Sequence, residues 1–467
     1  MLTYNFENTG SDSLYMYLYK CVKHDIEQGI LTTGEKLPSK RRFAKNLGVS
    51  IITVENAYAR LTAEGFIYSL PKRGFYVADV NKRLNAMHPD FPAASTPITS
   101  TVSPSYLADF ANNQTPSDLF PFTIWSKIVR KILNDSRIPL MTPSPCGGIF
   151  SLRRTIAHYV KEFRNMTVLP EQIIIGAGTE YLYSLLIQLL GHDKIYAVEN
   201  PGYQKNAKIY QSLHVPCVHV SLDDDGIRID ELEEKQAQIV HITPSHQYPT
   251  GIIMPVSRRY ELLGWAAREK NRYIIEDDYD SELRLSGHPI PTLQSIDIAD
   301  KVIYLNTFSK TLSSTVRISY MILPKGLVQP FYDRLSFYSC TVSNFEQYTL
   351  ASFIEDGKFE NHINRLRNDY RHKRDTLLTA LNESPLQPYI TISGENAGLH
   401  FLLTIHTPLP EKEVMLRAQA QGIRLLPLSS FYDGIPTHEP NTYVMNYAII
   451  DMTQVNTIVN TLYQCCM

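Results

Sequence analysis

The sequence predicts an α/β protein in two parts: a small, mostly helical head over residues 11–80 and a large body over residues 105–467. Three observations predict this. The head carries two short helical patterns joined by a glycine turn and followed by a strand pair. Residues 81–104 are rich in Pro, Ser and Thr and have no helical or strand period, as expected of a linker. Beyond them, short apolar strands alternate with amphipathic helices, the pattern of a mostly parallel sheet.

Hydrophobic residues make up 43% of the chain and charged residues 20%, values of an ordinary soluble globular protein. No apolar run reaches the roughly 18 residues that span a bilayer. The start, Met-Leu-Thr-Tyr-Asn-Phe-Glu, has no basic or apolar signal pattern, so a cytoplasmic protein without membrane contact is expected. The six cysteines are scattered and lack metal spacing, so neither disulfides nor a metal site is expected. The net charge of −2 is unevenly spread: residues 1–83 hold twelve Lys/Arg and eight Asp/Glu, a net +4, which leaves −6 for the rest. Only the head has the charge to meet a polyanion.

In the head, Leu14, Leu18, Val22 and Ile26 form one stripe of a helix near 14–28. Ser39 suits an N-cap, and Phe43, Ala44 and Leu47 form the inner face of a second helix. Gly48 suits the left-handed exit. Ser50 can cap a third helix with Val54, Ala57, Tyr58 and Leu61 inside. Phe66–Leu70 and Phe75–Asp79 then flank Pro71-Lys72-Arg73-Gly74, a hairpin with two cations at its tip. A helix-turn-helix followed by a basic wing is built to place one helix in the major groove and the wing against phosphate or the minor groove. The run Leu37-Pro38-Ser39-Lys40-Arg41-Arg42-Phe43-Ala44-Lys45-Asn46-Leu47-Gly48-Val49-Ser50-Ile51-Ile52-Thr53-Val54 resembles the GntR-type winged helix. The resemblance implies contacts to double-stranded DNA from Ser39, Lys40, Arg41, Ser50, Ile51, Thr53, Lys72, Arg73 and Gly74. One departure stands out: the family usually has Arg where this chain has Ile51, which can instead pack on a thymine methyl.

In the body, strands are expected at 172–175, 194–198, 215–220, 239–242, 273–276, 302–305 and 318–323. Four chemistry-bearing segments follow strand ends, the side where open parallel sheets bind ligands. Asn306-Thr307-Phe308-Ser309-Lys310 places a lysine among hydroxyls ahead of Arg317, a pattern suited to a Schiff base beside an anion site. Gly176-Ala177-Gly178-Thr179-Glu180 opens a helix whose free N–H groups suit phosphate. Ile275-Glu276-Asp277-Asp278-Tyr279 ends a strand in carboxylates, one of which can keep a pyridine nitrogen protonated. Glu199-Asn200-Pro201-Gly202-Tyr203 offers an aromatic ring for stacking.

These segments resemble the fold-type-I aminotransferases, which hold pyridoxal 5'-phosphate (PLP), and the resemblance covers residues 105–467, with a large lobe at about 141–325 and a small lobe from the remainder. It implies Lys310 as the Schiff-base residue, Asp277 as the pyridine partner with Glu276 as a weaker candidate, Tyr279 at the phenolate oxygen and Tyr203 on the ring. Gly178, Thr179, Thr307, Ser309 and Arg317 would form the phosphate cup. Tyr248 of Tyr248-Pro249-Thr250-Gly251 stands where aminotransferases have Asn. The two halves together resemble the MocR/GabR-type transcription regulators. That resemblance implies a head-to-tail homodimer, each head docked on its partner's body, which senses PLP or an amino compound that reacts with it.

The effector end departs from the pattern. Lys205 and Ser430 stand where relatives carry arginines, Tyr443–Tyr447 lacks the carboxylate-clamping arginine, and Arg424 is a remote substitute. A lysine is a point charge and cannot form the bidentate clamp. Two readings follow: a regulator that senses PLP or an amine without needing turnover, or an active aminotransferase with an appended DNA-binding head.

Overall fold

In the head, helices α1 (Leu14–Glu27), α2 (Lys40–Leu47) and α3 (Ile51–Ala63) enclose a core of Leu18, Val22, Ile26, Phe43, Val54, Ala57, Tyr58 and Leu61. Each fully buried aliphatic or aromatic side chain contributes roughly 1.5–3 kcal/mol. The Ser39 hydroxyl accepts from the Arg42 N–H at 3.3 Å and the Ser50 hydroxyl from the Thr53 N–H at 3.1 Å, so both expected caps form. Gly48 leaves α2 at φ +67°. Leu14 departs from the expected stripe: it is exposed at the first turn, and Tyr19 is buried instead. Leu47 is only partly buried. Strands β1 (Ile67–Leu70) and β2 (Gly74–Val77) pair antiparallel from Ile67 opposite Val77 to Leu70 opposite Gly74.

The computed structural model describes residues 2–4, 6, 12–79, 106–135, 137–285, 290–395, 398–437 and 439–467. The Pro-, Ser- and Thr-rich stretch 81–104 lies outside them. The chain divides into two units, Met1–Ser103 and Pro104–Met467.

The body is built on an eight-stranded sheet in the order Ile173–Gly176, Ser319–Ile322, Val302–Thr307, Tyr273–Asp277, Ile239–Ile242, Tyr196–Asn200, Cys217–Asp223, Gly226–Ile227. Val302–Thr307 through Cys217–Asp223 run parallel. Ser319–Ile322 is antiparallel to both neighbours. Ile173, Ile175, Tyr304 and Tyr320 enter one apolar cluster, and Ile174, Ile303, Leu305 and Met321 enter another. Because both faces are covered, these strands read as continuous apolar runs. All seven expected strands are present, with bounds shifted by at most three residues.

A second, antiparallel sheet was not expected: Ile390–Ser393, His400–Ile405 and Thr442–Asn446, packed near helices Lys358–Asn382 and Val455–Cys466. The short strand Ala108–Asp109 pairs parallel with Ile423–Arg424 and ties the start of the body to this lobe. Among the described residues no helix is long and apolar enough to cross a membrane.

Candidate cofactor site and DNA-binding face

Lys310 lies three residues past the end of Val302–Thr307, between buried Phe308 and Thr311. Its ammonium donates to the Asn113 carbonyl. The Thr115 hydroxyl lies 3.2 Å from the carbonyls of both Ser309 and Lys310. Burial lowers the Lys310 amine to about 8, while Asp280 works in the opposite direction. An amine so placed is a nucleophile close to neutral pH.

The two acids of Tyr273–Asp277 meet different neighbours. Glu276 turns to one side, where its carboxylate accepts from Leu293 N–H at 2.8 Å and Gln294 N–H at 2.9 Å, with Arg259 at 3.7 Å. Burial pushes its carboxyl up to about 7. Both of its oxygens are engaged on that side. Asp277 turns to the other side. One oxygen accepts from the Tyr183 hydroxyl at 2.9 Å and lies 3.5 Å from His241 Nε2. The second oxygen, Oδ1, is buried without a hydrogen-bond partner. Tyr210 holds the far nitrogen of His241 at 2.8 Å. Sequence reasoning missed Tyr183 and His241. Tyr183 follows Thr179 by one helical turn, which was the available signal.

The residues expected to form a phosphate cup lie on three segments. Gly178 caps helix Thr179–Leu190 at φ +94°, and a Cβ there would collide with the Arg317 guanidinium. The Thr307 hydroxyl donates to Ser309 Oγ at 2.9 Å and accepts from Ser319 Oγ at 2.8 Å. Arg317 donates to the Ala177 carbonyl at 3.2 Å and to Glu180 at 2.7 Å. Lys205 is also hydrogen-bonded to Glu180. Glu180 therefore joins the expected phosphate ligand to the expected effector ligand, a role sequence reasoning missed.

Tyr203 is half exposed, its ring edge-on to Tyr248 at 5.9 Å. Tyr248 packs on Tyr279, His400 and Phe431 and is the centre of an aromatic wall. The Tyr279 hydroxyl donates to the His246 carbonyl at 3.2 Å and lies as close to His246 Nδ1, which pairs with Asp280 at 2.8 Å. Asn200 exchanges hydrogen bonds with the backbone of Asp433, and Gln204 donates to the Phe431 carbonyl, so the Tyr203–Lys205 segment meets the Ser430 segment. Ser430 itself donates to the Pro427 carbonyl at 2.8 Å. Arg424 is committed elsewhere, 3.4 Å from Asp109 and over the Tyr106 ring, so it cannot replace the missing clamp.

In the head, Ile51 and Ile52 are 46% and 67% exposed at the start of α3. Arg41, Lys72 and Arg73 are exposed and pair with no carboxylate among the described residues. The Arg73 N–H closes the wing turn on the Leu70 carbonyl at 3.0 Å, with Lys72 at φ +61°. Lys40 differs from these cations: it is bound to Glu55 at 2.6 Å and lies over the Phe75 ring. The Ser50 and Thr53 hydroxyls bond each other at 2.9 Å, and Gly74 opens β2 at φ +105°.

Residues 14–77 match the bacterial regulatory proteins of the gntR family, and residues 111–460 match aminotransferase class I and II. The uncharacterized HTH-type transcriptional regulator YdeL of Bacillus subtilis is 39% identical over 94% of both chains. The chain is a GntR-type transcription regulator with an aminotransferase class I and II domain. Two further regulators of this kind are similar over their lengths. PdxR of Corynebacterium glutamicum, a pyridoxine biosynthesis regulator, is 30% identical over 90% of this chain and 89% of its own. MocR of Rhizobium meliloti, a probable rhizopine catabolism regulator, is 29% identical over 96% and 93%. The fold of a multiple substrate aminotransferase from Thermococcus profundus superposes with a TM-score of 0.69 at 24% identity, covering 82% of this chain and 98% of that one.

Aminotransferases of class I and II are PLP-dependent, and the regulator's residues fit that group. The unpartnered Asp277 Oδ1 is a buried acceptor waiting for an N–H, since an unsatisfied buried acceptor is costly. The glycine at 178 gives the Arg317 guanidinium room to lie against the start of this helix. When bound, PLP supplies an aldehyde that condenses with amines and a ring that withdraws electrons.

Proposed function

We propose that this regulator binds double-stranded DNA through its head and PLP through Lys310, and that the state of the PLP site is its signal. The observation that carries the reading is the pairing of opposite needs at two ends of one site: a buried amine at Lys310 and a buried, unpartnered carboxylate oxygen at Asp277. Asp277 would hold the ring nitrogen protonated. Thr179, Thr307, Ser309, Arg317 and the Gly178 N–H would hold the phosphate, Tyr203 would cover the ring, and Tyr279 would face the phenolate oxygen.

The effector is PLP itself or an amine that condenses with it, and turnover is not part of the function. Lys205 is tied to Glu180 and Ser430 to Pro427, while the segment Tyr443–Tyr447 itself contains no arginine. Nothing there clamps a carboxylate at two points. Ser39, Lys40, Arg41, Ser50, Ile51, Thr53, Lys72, Arg73 and Gly74 form the DNA face, and a homodimer supplies two of them, in the cytoplasm.

The test is an absorbance spectrum of the protein mixed with PLP. A visible Schiff-base band forms, disappears on borohydride reduction and is absent in Lys310→Ala. A colourless wild type overturns the reading. Release of a keto acid from common amino donors at enzyme-like rates would instead favour an aminotransferase.

A further inference from the structure

Glu180 is an acid placed between two cations of the body that are expected to receive a ligand's anionic groups, Arg317 and Lys205. Its carboxylate lies 2.7 Å from Arg317 Nη2 and is hydrogen-bonded to Lys205 Nζ. It also sits in the first turn of the twelve-residue helix Thr179–Leu190, where a negative charge is stabilised by the helix end. Arg317, Lys205 and the end of this helix therefore already face an anion that belongs to the chain. Partial burial works against its charge, but the bonds from Lys205 and Arg317 hold its carboxyl down at about 2, so it stays ionised.

Building on the PLP reading above, we infer that Glu180 is an internal competitor of the PLP phosphate for Arg317 and sets the affinity of the site. Arg317, Lys205 and Glu180 together carry a net charge of +1, where the two cations alone would carry +2. A dianion that reaches the cup must share Arg317 with Glu180 or displace it. A purely positioning role for Glu180 is disfavoured by the backbone: Arg317 lies at φ +53°, and its guanidinium also donates to the Ala177 carbonyl at 3.2 Å. The left-handed backbone, rare for a non-glycine residue, already aims the side chain. The consequence is specific to the phosphate. The aldehyde end of the ligand meets Lys310, on a different segment, and does not feel this competition directly.

Such a competitor suits a sensor. A regulator whose site is saturated at every cellular PLP level reports nothing, and a charge that weakens the phosphate contact moves the dissociation constant upward.

The experiment compares wild type with Glu180→Gln and Glu180→Ala, all full-length and freed of PLP, by absorbance titration of the Schiff-base band. Pyridoxal, the same aldehyde without the phosphate, is the second probe. The expected result is PLP binding tighter by roughly tenfold or more in both variants, the size of removing one like charge within a few ångströms. The gain shrinks in high salt, because the three side chains are partly exposed. Pyridoxal affinity stays unchanged. PLP binding that is equal or weaker in both variants overturns the inference and assigns Glu180 to positioning Arg317. An equal gain for pyridoxal also overturns it. A wild type that never forms the band overturns the PLP reading itself, a result distinguishable from the other two.

Discussion

The Lys310 side chain donates to the backbone carbonyl of Asn113, 197 residues earlier in the chain. Asn113 belongs to the segment that follows the stretch between head and body, and that segment is pinned on both sides of it. Asn446 Nδ2 donates to the Phe110 carbonyl at 2.8 Å, and Thr115 approaches the Lys310 carbonyl. Were PLP held at Lys310, the amine would no longer be free to hold this carbonyl as an ammonium does. The Lys310 side chain is thus tied to the first residues of the body.

The first prediction concerns pH. With its amine lowered to about 8 by burial, the free-base fraction of Lys310 rises through that value. The initial rate of Schiff-base formation should climb roughly tenfold between pH 7 and pH 9 and then level off, whereas an unperturbed lysine would keep rising beyond pH 10. Stopped-flow absorbance checks this, and a rate still climbing at pH 10 contradicts it. The sign for stability follows from the same shift. The folded value lies below the unfolded one, so the unfolded chain binds more protons between them. Lys310 therefore costs stability below about 8, and that cost is relieved as pH rises from about 8 toward the unfolded value near 10.4.

The second prediction concerns Asp277. Asp277→Asn removes the charge but keeps the shape beside Tyr183 and His241. A hydrogen bond to a charged group contributes about 1.5–3 kcal/mol, so PLP affinity should fall by roughly 10- to 100-fold. Glu276→Gln should leave PLP affinity nearly unchanged, because that carboxylate faces Leu293 and Gln294. Titration of both variants decides the assignment; a larger loss in Glu276→Gln would reverse it.

That contrast marks the limit of what was legible. The strands of the large sheet are apolar runs bounded by Gly, Pro and charged residues, and their ends placed Lys310, Asp277, Tyr203 and Gly178 correctly at strand termini. Which of two adjacent acids turns toward the site is a question of parity, and parity needs the register with a neighbour, such as Asp277 beside Leu305. The strand Ser319–Ile322 looks like its neighbours in composition, yet runs the other way, since direction is set by the crossover before it. The small-lobe sheet was missed in part because His400–Ile405 pairs with a strand far along the chain, as with Phe401 opposite Met445. Glu180 read as an ordinary first-turn helix acid, because its partners Lys205 and Arg317 lie 25 and 137 residues away.

The third prediction concerns stability. Behind the site, Arg164 donates to Asp278 at 2.6 Å, and Tyr304 donates to the same carboxylate oxygen at 2.7 Å. Arg164 and Asp278 are both buried. Arg164→Ala leaves a buried carboxylate without its counter-ion, which costs about 3–5 kcal/mol. Denaturant unfolding of the body should show a clear loss in midpoint. Replacing both partners with apolar residues should recover much of it, and a single variant as stable as wild type would contradict the account.

The fourth prediction concerns DNA. Arg41 and the wing residues Lys72 and Arg73 are exposed without carboxylate partners among the described residues, whereas Lys40 is held by Glu55. Free cations release counter-ions from phosphate, and a cation already paired contributes less. Arg41→Ala and Arg73→Ala should each weaken binding to the protein's own upstream DNA and lower the salt slope by about one, while Lys40→Ala should have a smaller effect. All three should keep the Schiff-base band, because the head and the PLP site lie in separate units. Ile51 gives the complementary case. An exposed aliphatic side chain at the start of α3 adds no charge, so Ile51→Ala should leave the salt slope unchanged and lose only discrimination at the base pair it covers. A gel-shift series over salt concentration, run on wild type and these four variants, measures each term. If Ile51→Ala alters the slope as Arg41→Ala does, or if Lys40→Ala proves the most damaging, the DNA face has been drawn on the wrong residues.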